Sequence, residues 1–216
     1  HSPYTLSLHD ALPIYVEIRN CFDNKIKKSF FTFAGAGSGK TRSLVNTLDY
    51  LDKTYGYEYS IYSRQIAVIT YTNAACEEIL NRVEFKQIFA VSTIHSFLWE
   101  LIKNQQRDIK IWLKKNIEIE ILELEKQQLR GRVSTASDIR AKKIESKKNR
   151  LLKIDTVKMF SYNTNGNNIE YDSLNHAEVI KMGSDFISNS DIMQIILINK
   201  YPILDRKSTR LNSSHH

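Results

Sequence analysis

At 216 residues, 42% hydrophobic and 25% charged, the chain has the composition of an ordinary globular protein and is long enough to bury one sizeable core, with or without a satellite domain. A formal charge of +7 favours an anionic partner such as nucleic acid, and the absence of any apolar run near ~18 residues argues against a membrane partner. Cys21 and Cys76 stand apart with no CxxC pair, which argues against a disulfide framework or a cysteine metal clip and suggests a reducing, cytoplasmic compartment.

In chain order, the first segment is anomalous. Thr5–Ile14 and, at the other end, Asp205–His215 match translated sequencing-adapter DNA, and neither has clean periodicity. Residues 1–14 and 205–216 are therefore expected to be non-native tails carrying no chemistry, on a chain that is a fragment. Setting aside one negative and a net two positive charges from these tails leaves +6 on the remainder, so the basic character lies between them.

"SFFTFAG" (29–35) is a short apolar run ending in glycine and predicts a buried strand. Leu44, Val45, Leu48 and Leu51 then recur at helical spacing, predicting a helix to about Lys53, followed by a polar, tyrosine-rich connection over 55–63. "QIAVITYT" (65–72) is a continuous β-branched run, the pattern of a strand covered on both faces, and Ala75, Ile79, Leu80 and Val83 mark the helix after it. "QIFAVST" (87–93) predicts a third strand and "IHSFLWELIK" a third helix. Strand–helix repeats of this kind predict a parallel sheet with helices on its faces.

From about Asn104 to Asp155 the chain becomes long, charged and almost free of glycine, predicting two helices joined around Gly131. Ile117–Leu124 also alternates like a strand, so periodicity alone leaves that stretch open. Residues 158–171 suggest a short strand and a polar turn. Asn175 with Glu178 three positions on is a helix-start signature, for a helix through about Ile187. Ser190 or Asp191 starts another helix, and "YPIL" (201–204) begins a strand.

The chemistry is concentrated in "AGAGSGKT" (34–41), a P-loop lying between a predicted strand and a predicted helix. In such a loop the backbone N–H groups of Ala34, Gly35, Ala36, Gly37, Ser38 and Gly39 ring a phosphate, and the helix N-terminus adds a favourable dipole. Lys40 would reach the β- and γ-phosphates and the Thr41 hydroxyl would ligate Mg²⁺, which makes ATP or GTP the expected ligand. The strict pattern begins with glycine; here Ala34 stands in that place. A P-loop alone does not separate kinases, GTPases and helicases.

Two further runs narrow the choice. "TYTNAACEEILNRV" (70–83) and "STIHSF" (92–97) follow the second and third predicted strands, at the carboxyl edge of the sheet where ligands bind. With "AGAGSGKTR" they resemble the first three motifs of superfamily-one DNA helicases of the UvrD/Rep type, which run roughly AGAGSGKTR, TFTNKAAxEMxxRV and TFHS. The resemblance spans about Phe30 to Leu204 and implies an incomplete α/β P-loop NTPase (RecA-like) domain. Its parts would be a motor subdomain over 15–103, an inserted charged helical hairpin over 104–157 and a truncated return to the motor domain over 158–204.

By the same resemblance, Gly37, Gly39, Lys40 and Thr41 would serve phosphate and Mg²⁺, with Lys40 and Thr41 the catalytic pair. Arg42 would lie at the nucleotide site, and Thr72, Asn73, His95 and Ser96 would contact single-stranded or forked DNA. Small hydroxyl and amide side chains at strand ends suit phosphate and sugar contacts. The same residues also have simpler roles open to them: Thr72 or Asn73 as a helix cap, His95 as a packed histidine, and the tyrosines as packing.

Two departures from the family stand out. Residues 16–30 contain no glutamine of the kind that recognises adenine, and the expected strand ending in Asp-Glu-x-Gln-Asp runs instead into Asp205-Arg206-Lys207. The motif resemblance implies an ATP-dependent DNA helicase whose present fragment is not expected to hydrolyse ATP at a family-like rate. A small-molecule kinase or regulatory NTPase, and a non-catalytic nucleic-acid-binding module, are the alternatives.

Overall fold

The computed structural model describes residues 4–7, 18–22, 30–33, 40–130, 135–164, 166 and 170–206. The chain divides into two compact units, one formed by residues 1–92 and 199–216 and the other by residues 93–198.

In the first unit, β1 (Tyr4–Ser7) pairs in parallel with β2 (Phe30–Phe33), Tyr4 opposite Phe30 and Ser7 opposite Phe33. β3 (Ile66–Thr70) lies between β4 (Phe89–Thr93) and β5 (Ile203–Arg206), and is parallel to β5 with Ile66 opposite Ile203. All five residues of β3 are buried, as its unbroken β-branched run predicts for a strand covered on both faces. Around it Leu48, Leu51, Tyr59, Ile79, Val83 and Phe89 form one apolar cluster. The expected parallel strands with intervening helices are present, although the described strands make two sheets where one was expected.

Two terminal segments set aside at the sequence level are strands in the structure. Tyr4–Ser7 occupies an edge of β2, and β5 continues past Leu204 through Asp205 and Arg206. Unpaired strand edges expose a row of backbone donors and acceptors, and an extended neighbour of almost any sequence satisfies them.

The helix α1 (Lys40–Ile61) runs eight residues beyond Lys53, through the segment expected to be a connection. Its tyrosines account for the difference. Tyr59 is fully buried, Tyr55 stacks on it at 5.7 Å between ring centroids, and the Tyr55 hydroxyl donates to the Phe22 carbonyl at 3.0 Å. Leu48, Leu51, Tyr55 and Tyr59 thus continue one helical stripe, hidden only if tyrosine is counted as polar. α2 (Asn73–Arg82) follows β3.

The second unit is helical. α3 (Ile94–Ile102) follows β4, and α4 (Gln106–Arg130) and α5 (Thr135–Lys153) form the expected hairpin. The side-chain bonds show the two helices to be antiparallel: Gln128 meets Ser137 and Arg140, Glu125 meets Lys148, and Lys114 meets Asp155. Gly131, the expected joint, lies outside the described residues. Ile109, Leu113, Ile117 and Ile121 are buried at intervals of four, so Ile117–Leu124 is helix, and its apparent alternation came from glutamates between isoleucines. Burial opposes ionisation of Glu120, but a hydrogen bond and charge from Lys147, with the Asn116 amide and Lys181, hold its carboxyl below the usual range.

A short 3₁₀ turn (Ile154–Thr156) ends the hairpin. The short strand expected over 158–171 reduces to one bridge between Ser161 and Ser173. Its neighbouring backbone groups are taken by side chains: Gln106 accepts from the Phe160 N–H at 2.7 Å and Lys110 donates to the Val157 carbonyl at 2.7 Å. α6 (His176–Asn189) starts at the expected capping box. The Glu178 N–H donates to Asn175 Oδ1 at 2.9 Å, and the Asn175 N–H donates back to Glu178 at 3.0 Å. α7 (Asp191–Lys200) leads into β5, with Ser190 Oγ accepting from the Met193 N–H as expected of its cap.

α3 and α6 approach closely through Gly183, where an added Cβ would meet Leu98 Cδ2 at 2.9 Å and Leu98 Cβ at 3.1 Å. Gly183→Ala is therefore expected to destabilise the chain by about 1–3 kcal/mol in chemical unfolding, despite the gain in helix propensity. Unchanged stability would mean the two helices separate freely there.

Candidate nucleotide and nucleic-acid site

Each group of candidate residues opens a helix that follows a strand. Lys40, Thr41 and Arg42 are the first three residues of α1, and the chain between β2 and α1 is the glycine-rich segment. Ala34, Gly35, Ala36, Gly37, Ser38 and Gly39 themselves lie outside the described residues. The strand–glycine loop–helix context is what gives such a segment its meaning, because it places several N–H groups and a helix dipole at one point. Thr41 is half-buried and Arg42 exposed.

Thr72 and Asn73 lie just beyond β3, both exposed. Thr72 is the N-cap of α2, in extended backbone (φ −131°, ψ 150°), with its Oγ1 accepting from the Ala75 N–H at 3.2 Å. Behind it, the buried Thr70 hydroxyl donates to the Thr72 carbonyl at 3.0 Å and lies 2.9 Å from Cys76 Sγ. The turn is thus fixed from below while its outer face stays open to solvent. A carboxylate caps a helix as well as a hydroxyl does, but it would repel a phosphate. Thr72→Asp is expected to retain the folded stability and to weaken single-stranded DNA binding about fivefold or more. Unchanged affinity would leave Thr72 a cap alone.

Thr93 does the same work for α3. Its Oγ1 accepts from the Ser96 N–H at 3.3 Å and lies 3.0 Å from Ser96 Oγ. Ser96 is therefore held by a cap that the sequence reading did not name, although the Thr-x-x-Ser spacing carries that signal.

His95, half-buried, sits on the same turn, with its ring centroid 5.0 Å from that of His176 at the start of α6. Burial first, and then the charge of His176, lower the affinity of His95 for a proton below that of an ordinary histidine. His176 is exposed, and its Nδ1 is 2.6 Å from the hydroxyl of Tyr162, which is buried and leans on Trp99. Nothing in the sequence signals the meeting of His176 and Tyr162 with His95.

Residues 17–206 match the UvrD/REP helicase N-terminal domain. The chain belongs to that family. It is 36% identical over 114 residues to the Gabija protein GajB of Bacillus cereus (strain HuB5-5), an alignment covering 52% of this chain and 17% of that protein. It is also 36% identical over 78 residues to the ATP-dependent DNA helicase Rep of Escherichia coli (strain K12), covering 33% and 11%. With Rep of Buchnera aphidicola subsp. Acyrthosiphon pisum the identity is 40% over 79 residues, covering 33% and 12%. This UvrD/REP-type chain thus spans less than a fifth of the relatives it matches.

Among the described residues no cluster of three or more His, Cys, Asp or Glu side chains could hold a metal ion, and no helix is long and apolar enough to cross a membrane. Cys21 and Cys76 are both buried, and neither forms a disulfide among the described residues.

Proposed function

We propose that the chain is the ATP-binding N-terminal part of an ATP-dependent DNA helicase or translocase, with single-stranded or forked DNA as its partner. The family match over residues 17–206 carries this reading, and the glycine-rich loop between β2 and α1 supports it. Residues 34–39 would ring the ATP phosphates with backbone N–H groups. Lys40 would reach the β- and γ-phosphates, and Arg42 would stand beside them. An exposed basic residue next to a helix N-terminus suits a triphosphate. For Mg²⁺ the Thr41 hydroxyl would be the ligand from this loop, with phosphate oxygens and water supplying the rest of the coordination. When bound, Mg²⁺ would neutralise charge developing on the phosphates.

Thr72, Asn73, His95 and Ser96 would touch the DNA backbone without reading its sequence, since hydroxyl, amide and imidazole groups at helix starts bond phosphate and sugar. In the parent protein, nucleotide-driven closure of motor domains would convert such contacts into movement along the strand. Two buried cysteines outside any disulfide fit a reducing cytoplasmic setting. A small-molecule kinase gives no role to Thr72-Asn73 or Ile94-His95-Ser96.

One observation favours a second component of the reading, that of a nucleic-acid-binding surface. α5 buries none of its residues and, beside Lys147, Lys148 and Arg150, which pair with Glu120, Glu125 and Glu178, carries Arg140, Lys142, Lys143 and Lys153 against Asp138 and Glu145. Titration of a labelled oligonucleotide at rising salt tests both parts. Affinity that falls with salt and responds to Thr72→Asp supports the proposed track, whereas salt-sensitive binding indifferent to Thr72, His95 and Lys40 would leave only a basic binding module.

A further inference from the structure

We propose that His176, anchored by Tyr162, is a positioning residue for His95 and ties this unit's hold on single-stranded DNA to pH, so that the hold tightens as the solution is acidified. The proposal rests on the reading above in which His95 lies on the DNA path, and it concerns how that contact is set.

Three features of the geometry carry it. The Tyr162 hydroxyl and His176 Nδ1 are 2.6 Å apart. Burial raises the pKa of Tyr162, so the phenol stays protonated wherever histidines titrate. The bond fixes the His176 ring plane whichever group donates, and where the phenol donates, Nδ1 carries no proton and the His176 proton sits on Nε2. The fixed ring then stands against His95, with centroids 5.0 Å apart and planes inclined by 58°. Finally, His95 is the second residue of α3 and His176 the first of α6, so each lies in the positive end of its own helix.

The electrostatic consequence has one sign. Two imidazoles this close resist carrying two protons, and two helix N-termini resist even the first. The titratable groups facing His95 are His176 and, behind it, Tyr162. The nearby carboxylates are committed elsewhere: Glu100 on α3 to Lys103 at 2.6 Å, and Glu178 on α6 to Arg150. The free protein therefore disfavours a proton on His95. A DNA phosphate arriving at the same helix ends favours the protonated form, so binding takes up a proton. A group whose proton affinity is higher in the bound state adds binding energy below its free-state titration and loses it as pH rises through its bound-state titration. His95 is half-buried and His176 exposed, so both can exchange protons with solvent and meet a ligand.

The test uses the whole 216-residue chain. Proton NMR follows the ring of His95 in the native protein and in His176→Phe, which keeps an aromatic ring but removes the competing proton site. The His95 titration is expected to move to higher pH in the variant. Nitrogen NMR is expected to show the Nε2–H form of His176 in the native chain and a mixture in Tyr162→Phe. In parallel, anisotropy of a dye-labelled oligothymidine at fixed ionic strength reads affinity against pH. Native affinity is expected to rise by up to about fivefold from about pH 8 to about pH 6. His176→Phe is expected to shift that rise upward in pH.

Coincident NMR titrations of His95 in the native and His176→Phe chains would overturn the proposal, even if DNA binding were intact. A flat native pH profile would also overturn it, provided His95→Ala still weakened binding. If His95→Ala left affinity unchanged, the underlying placement of His95 on the DNA path would be what fails.

Discussion

Truncating Arg150 to alanine is expected to lower the unfolding free energy by about 3–5 kcal/mol. Arg150 lies near the end of α5 with its side chain 19% exposed, and its partner Glu178 on α6 is only 6% exposed. The guanidinium makes four hydrogen bonds: two to the Glu178 carboxylate, one to the Ser173 carbonyl at 2.8 Å and one to the Tyr171 carbonyl at 3.3 Å. Glu178 also closes the capping box that starts α6. Removing the arginine would leave a buried carboxylate without its counter-charge and two carbonyls without a donor, which costs more than the pair itself contributes. Denaturant unfolding of Arg150→Ala checks this, and Glu178→Gln should recover part of the loss in the double variant because it removes the stranded charge. A loss below about 1 kcal/mol would mean that water reaches Glu178 freely and that α6 is held by its apolar face alone.

The second large effect is expected at the loop. Lys40→Ala should weaken binding of ATP with Mg²⁺ roughly 10- to 100-fold, because each charge-assisted hydrogen bond to a phosphate contributes about 1.5–3 kcal/mol. The first turn of α1 needs no lysine side chain to form, so far-ultraviolet circular dichroism should be unchanged. Isothermal titration of ATP into the native and variant chains measures the difference. Equal affinities would remove Lys40 from the nucleotide site and leave the glycine-rich segment a turn between a strand and a helix.

How much of this was legible from the sequence depends on which force decides each feature. β3 was readable because a strand buried on both faces must be apolar at every position, and Ile66–Thr70 leaves no other reading. The start of α6 was equally plain, since Asn175 and Glu178 satisfy each other's backbone locally. The far end of α1 was hidden because Tyr55 and Tyr59 can be packing or polar residues, and only the tertiary neighbours Phe22 and the apolar cluster decide. The strand at Tyr4–Ser7 was invisible for the opposite reason: nothing in its own residues calls for it, and the edge of β2 supplies the reason.

The candidate site divides along the same line. Thr72 and Asn73 were singled out by the motif resemblance, with a helix cap as their simpler role, and the structure shows Thr72 to be a cap. His95 was singled out by the motif resemblance, but its neighbours were not, because His176 and Tyr162 come to it from 81 and 67 positions further along the chain through the packing of α3 and α6. Long-range side-chain meetings leave no trace in local periodicity.

The measurement that most directly tests the central claim is steady-state ATP turnover by the full-length protein carrying this chain, with and without single-stranded oligothymidine. The account predicts turnover that rises at least about tenfold with DNA and vanishes in Lys40→Ala, since a motor couples its nucleotide site to its track. Turnover that depends on Lys40 but ignores DNA would contradict it and point to a P-loop enzyme acting on another substrate.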